Sequence, residues 1–257
     1  MPLPDLAVPL IVAGAVGILN ALFMAVMMPE NRFRPLPRDE RGTWRTMART
    51  FSEGSKLVKR RPDLLSILAI ALFLGVSNEP IDRFFALHVL EISAFSRPAQ
   101  DTLGPAMWWG LIGITTSLFT IEIAEVVRSN LDLESQPVQV RALAVGNAIG
   151  IAGVAGFALA GNLGIALTAY LSYAIVRGVG GPIKGVWSNQ QLESGVRATV
   201  FSMTAQVDAI GQVASGPGMG LLATRVSVRA ALLLAAALLA PPQAIYTRVA
   251  RRKSADK

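Results

Sequence analysis

Residues 142–160 read ALAVGNAIGIAGVAGFALA, nineteen residues with no charge and one polar side chain, Asn147. As a helix this run rises about 28 Å, close to the roughly 30 Å hydrocarbon core of a bilayer. A helix on a soluble surface carries one apolar stripe and a polar face. This run is apolar all round, so it calls for an apolar surround. Two residues later, 163–183 repeats the pattern with Arg177 as its only charge.

Five further runs of this kind flank the pair, at residues 6–28, 64–90, 106–127, 198–223 and 228–246. The reading is an all-α, multi-pass membrane bundle of about seven transmembrane helices. Composition agrees: 52% of the 257 residues are hydrophobic, 16% are charged, and mean hydropathy is +0.48. A soluble domain needs more polar surface than that. The first run has no basic start and is long enough to span, so it does not read as a cleaved signal peptide.

Loop charge sets a direction. Residues 29–63 hold ten Lys or Arg and residues 247–257 hold five. With Arg128, Arg141, Lys184 and Arg197, nineteen of the twenty-four basic residues fall on one side, against Arg97, Arg225 and Arg229 on the other. The positive-inside rule makes the long loop and the C-terminus cytoplasmic. The N-terminus is then outside, and the chain begins in mid-architecture. The organisation expected is a first span at 1–28, a basic cytoplasmic loop at 29–63, a six-helix bundle at 64–246 and a basic tail at 247–257. Within the loop, Trp44, Met47, Phe51 and Val58 recur at helical spacing, with Arg45, Arg49 and Lys56 elsewhere on the wheel. That pattern predicts an amphipathic helix on the inner membrane face. The formal net charge of +7 sits in these loops, which points to a lipid bilayer rather than to nucleic acid.

Several classes of function are excluded. With no cysteine and one histidine, His88, there is no thiolate chemistry and no histidine-rich metal site, and no cofactor or metal is implied. Hydrolysis lacks its nucleophile motifs, and a paired-aspartate protease needs two midplane aspartates where only one is deep enough. The reading is therefore not an enzyme. A seven-span receptor is the alternative suggested by span count, although no span carries the lysine a retinal protein requires.

Charges in hydrocarbon are costly and mark function by default. Asp208 lies roughly 15 Å into its span, near the midplane. Thr204, Asp208 and Gln212 share a face, with Ser215 on the same side. This stripe reads as a cavity wall with Asp208 as a proton or cation site. Residues 77–83 read SNEPIDR. Pro80 is expected to break the helix, and Ser77, Asn78 and Glu79 to cap its restart. Glu79, Asp82 and Arg83 can pair locally at roughly 22 to 28 Å up the span, in its outer third. His88 lies further out and reads as an interfacial histidine. Glu122, Glu125 and Arg177 read as structural residues at inner span ends, where long side chains reach water. Trp108 and Trp109 fit an aromatic belt. Gly146, Gly150, Gly153 and Gly156, and Gly211, Gly216, Gly218 and Gly220, read as close helix packing, with Pro217 predicting a bend or hinge.

Some of these stretches resemble a known family. Residues 28–30 (MPE), Phe33-Arg34-Pro35, Glu53-Gly54 and Arg60-Arg61-Pro62 resemble the central cytoplasmic loop of major facilitator superfamily transporters. Residues 78–83 resemble the seventh helix of a bacterial efflux-type branch. Trp187, Asn189, Arg197-Ala198-Thr199-Val200, Ser202-Met203, Gln206, Asp208-Ala209, Gly211-Gln212 and Gly216-Pro217 resemble that branch's eleventh-helix region. The resemblance covers nearly the whole chain and implies helices six to twelve, the C-terminal half of the fold, in a bacterial inner membrane. It implies a secondary transporter of small molecules, of drug-efflux type. Asp208, Glu79, Asp82, Arg83, Gln206, Thr204 and Gln212 would bind substrate or protons. Arg197, Gly211, Gly216 and Pro217 would serve gating or packing. The partner expected is the missing N-terminal half or a second copy of the chain, and truncation is the first reading. Residues 127–132 (VRSNLD) stand where the family often has a basic Gly-Asp-Arg motif, so no gating role transfers there.

Overall fold

The computed structural model of the chain describes residues 7–27, 62–93, 105–192 and 197–255, and among them every regular element is a helix. In chain order these are α1 (Ala7–Met27), α2 (Pro62–Ser93), α3 (Pro105–Asn130), α4 (Gln136–Leu159), α5 (Leu163–Gln190), α6 (Arg197–Arg225), α7 (Val228–Leu238) and α8 (Ala240–Ala255). The chain divides into two compact units, Met1–Arg49 and Thr50–Lys257. The first holds α1, an uncharged apolar helix of 21 residues. The amphipathic helix expected around residues 44–58, and the basic loop at large, lie outside the described residues.

Five helical stretches are long and apolar enough to cross a membrane: Leu64–Ile92, Trp108–Asn130, Gln136–Leu159, Leu163–Gln190 and Val228–Arg251. α1 adds a shorter apolar stretch, Ile11–Met27. At 29 residues α6 is long enough, but Thr204, Gln206, Asp208, Gln212 and Ser215 dilute its hydropathy. The chain is thus a helical membrane bundle.

In the second unit, α4 packs along α5 and α2 along α6, and α7 and α8 lie against α2 and α4. Small residues permit both long contacts. A Cβ on Gly75 would run into the backbone carbonyl of Asp208, and one on Gly211 would lie 2.5 Å from Leu72 O and 3.0 Å from Val76 N. On α4, a Cβ at Gly153 would lie 2.8 Å from Ser172 Oγ and 2.9 Å from Ala169 O. Backbones that approach this closely gain dispersion contact over their length, the main source of helix association in lipid. The expected packing role therefore holds for Gly153 and Gly211. At Gly216, Gly218 and Gly220 a Cβ would meet nothing within 4 Å.

The break expected at Pro80 is corrected. α2 continues through Pro80 from Pro62 to Ser93 instead of breaking. Ser77 does not cap a restart; its hydroxyl donates to Phe73 O at 2.7 Å within the same helix. Ser77, Pro80 and Ile81 are buried, so packing on both sides of the proline holds the helix together despite the lost N–H. α5 likewise runs through Pro182 to Gln190, seven residues past its expected end, and α6 runs through Pro217. The last span is instead interrupted at Leu239, where Pro241 and Pro242 together remove two consecutive ladder donors. Asn147, the lone polar residue of the run 142–160, bonds there: its Nδ2 donates to Leu239 O and Gln243 Oε1, each at 3.0 Å. The basic tail expected from residue 247 is helical through Ala255.

His88 is also corrected. It is buried rather than interfacial, because α2 extends to Ser93 and packs on α4. Its Nε2 lies 2.9 Å from Phe157 O, and its ring meets the Phe157 ring edge-on.

Candidate functional site

Buried apolar residues form two lobes. One joins Leu64, Ile67, Ile70, Val140, Leu143, Trp187, Val200, Met203 and Tyr246. The other joins Ile81, Phe84, Val154, Phe157, Ala166, Tyr173, Met219 and Leu232. Each of α2, α4, α5 and α6 contributes to both lobes and carries one or more polar residues between them. α2 supplies Ser77, Asn78 and Glu79, and α4 supplies Asn147. α5 supplies Arg177, α6 supplies Thr204, Asp208, Gln212 and Ser215, and α8 supplies Gln243. The bundle thus has a polar waist between its two apolar lobes.

The waist is cross-linked. Arg177 Nη1 donates to Asp82 Oδ1 at 2.7 Å and to Tyr173 Oη at 3.2 Å. Tyr173 Oη donates to Asn78 Oδ1 at 2.8 Å, and the Arg177 guanidinium lies 5.9 Å from the Tyr173 ring centre. Two helices are thus tied by an ion pair and a neutral hydrogen bond that share one tyrosine. On α6, Gln212 Nε2 donates to Asp208 Oδ2 at 2.7 Å, one turn along the same face. Lys184 of α5 is half-buried, attracted by the Asp208 charge and repelled by that of Arg177. A cation of α5, Arg177, thus meets a carboxylate of α2, Asp82.

No protein-family model, curated protein or solved structure matches the chain.

The geometry brings together part of the expected set. Asp208 and Gln212 are bonded as a pair, and Asp82 joins the waist through Arg177. Glu79 and Arg83 form the expected local pair, with Arg83 donating to Glu79 one turn back. Thr204 lies on the Asp208 face, but its hydroxyl donates to Val200 O at 2.8 Å. Gln206 is exposed and lies off that face. Arg197 Nη2 donates to Leu192 O at 3.4 Å, next to its own helix start.

Arg177 was expected at a span end, with Glu122 and Glu125 as neighbours. Because α5 continues to Gln190, Arg177 is its fifteenth residue of twenty-eight and pairs with Asp82 instead. Glu125 bonds Arg128, three residues on along α3. Asn78 and Tyr173 complete the network. Only the coincidence of a mid-helix arginine with a tyrosine four residues before it could have flagged them.

Proposed function

We propose that this polar waist is one wall of a solute pathway, and that the chain is one half of a secondary transporter of small molecules. The observation that carries the reading is the Asp82–Arg177 pair. Its side chains are 47% and 42% exposed at mid-height of a bundle whose outer surfaces are apolar. A pair of charges half open at that depth is costly against lipid. A water-filled cleft and a second helical body beyond it remove that cost. That body is an N-terminal half with the fold of the major facilitator superfamily, or a second copy of this chain.

Within this reading Asp208 is the proton or cation site. It is held by Gln212 and balanced by Lys184, so binding or losing a proton would change its attraction for the α5 cations. Rocking of the two bodies would expose the site to each side in turn. In this reading the basic loops and the C-terminus lie on the cytoplasmic side, and the membrane is a bacterial inner membrane.

The test is efflux of a preloaded lipophilic dye from energised cells expressing the chain, compared with Asp208→Asn at matched membrane level. We expect uncoupler-sensitive efflux in the wild type and a loss of at least about tenfold in the variant. Equal efflux from both would overturn the role of Asp208.

A further inference from the structure

α6 carries a second stripe that the polar waist does not use. Ala214, Gly218, Leu221 and Arg225 are four, three and four residues apart, so they share a face distinct from that of Thr204, Asp208 and Gln212. The face is hollow: with Val76 of α2 and Leu234 of α7 it bounds a groove of about 600 Å³. That is the size of a site for a medium-sized ligand. Ser215 lines it, but its hydroxyl already donates to Gln212 O at 2.9 Å. The walls are otherwise apolar until Arg225, in the last turn of α6. Arg225 is exposed, as is Arg229 at the start of α7. Among the described residues neither has a carboxylate partner.

We propose that this groove holds one anionic phospholipid, with an acyl chain along Gly218 and Leu222 and the headgroup phosphate on Arg225, flanked by Arg229. The chemistry is complementary at both ends. An apolar trough on a membrane protein is solvated by hydrocarbon chains, and an unpaired guanidinium binds phosphate through two parallel N–H bonds. Basic pockets between transmembrane helices select anionic headgroups for this reason. The favourable interaction of Arg225 with the C-terminal end of α6 accounts for a cation there, but not for the trough beside it.

The test uses purified full-length chain in detergent, given equal amounts of dioleoylphosphatidylglycerol and dioleoylphosphatidylcholine and read by native mass spectrometry. We expect one lipid retained, with the anionic one preferred by roughly tenfold. Arg225→Gln should bring that preference close to unity. Gly218→Leu should abolish retention of both lipids, and it should fold because the space at 218 is open. Asp208→Asn should keep the preference, which separates this site from the transport reading. Equal retention of the two lipids by wild type, or an unchanged preference in Arg225→Gln, would overturn the proposal. So would full displacement of the lipid by glycerol 3-phosphate, which would reveal a plain anion site.

Discussion

Arg177 and Asp82, ninety-five residues apart in sequence, meet at 2.7 Å and join α5 to α2 at the level of the polar waist. Removing one partner leaves the other charge, half covered by protein, without compensation. For fully buried pairs that costs about 3–5 kcal/mol, and partial exposure lowers the expectation here to about 1–3 kcal/mol. Thermal unfolding in detergent, followed by circular dichroism, should show Arg177→Met destabilised by that amount. The double variant Asp82→Asn, Arg177→Met should regain at least half of the loss. Additive losses would mean that the two charges do not interact.

The α2–α6 crossing makes a second, sharper distinction. In Gly211→Ala the new methyl would press on α2 backbone atoms, Leu72 O and Val76 N, which cannot rotate away. Separating the helices should cost about 1–3 kcal/mol. In Gly146→Ala the nearest atom is Val176 Cβ at 3.9 Å, an ordinary contact. There the better helix propensity of alanine should stabilise by about 0.5–1 kcal/mol. The same melting experiment should therefore give opposite signs for two glycine-to-alanine changes.

Asn147 tests the origin of the break at Leu239. Its amide serves a carbonyl beside the Pro241–Pro242 pair and the side chain of Gln243. Asn147→Ala should lower stability by about 0.5–2 kcal/mol, the range for interhelical hydrogen bonds in membranes. It should also speed amide exchange at the start of α8. No change in either reading would show that α8 is held by packing alone.

The sequence revealed what depends on local pattern and concealed what depends on neighbours. Apolar runs gave the helices, and the spacing of Asp208 and Gln212 gave a bonded pair. The break expected at Pro80 is absent, and the end of α5 was read too early. Pro80 and Pro182 lie inside continuous helices because adjoining residues such as Ser77, Ile81 and Ile183 are clamped by neighbouring elements. Ending α5 at Ile183 moved Arg177 and Lys184 to a membrane edge and hid the cationic face of α5. Gly75 gave no warning, because its role exists only where the backbone of α6 crosses it. His88 was placed by depth alone, whereas its surroundings are set by Phe157, sixty-nine residues away.

The central claim is that the waist faces water while the exposed apolar face of α6 meets hydrocarbon. The chain has no cysteine, so a single introduced thiol is labelled without background. Gln212 and Val213 are adjacent on α6; one bonds Asp208 and the other is 77% exposed on an apolar face. N-ethylmaleimide crosses membranes but reacts with the thiolate, which forms only where water reaches. In intact membranes we expect Gln212→Cys to be labelled at least about tenfold faster than Val213→Cys. Equally slow labelling at both positions would contradict a water-lined waist.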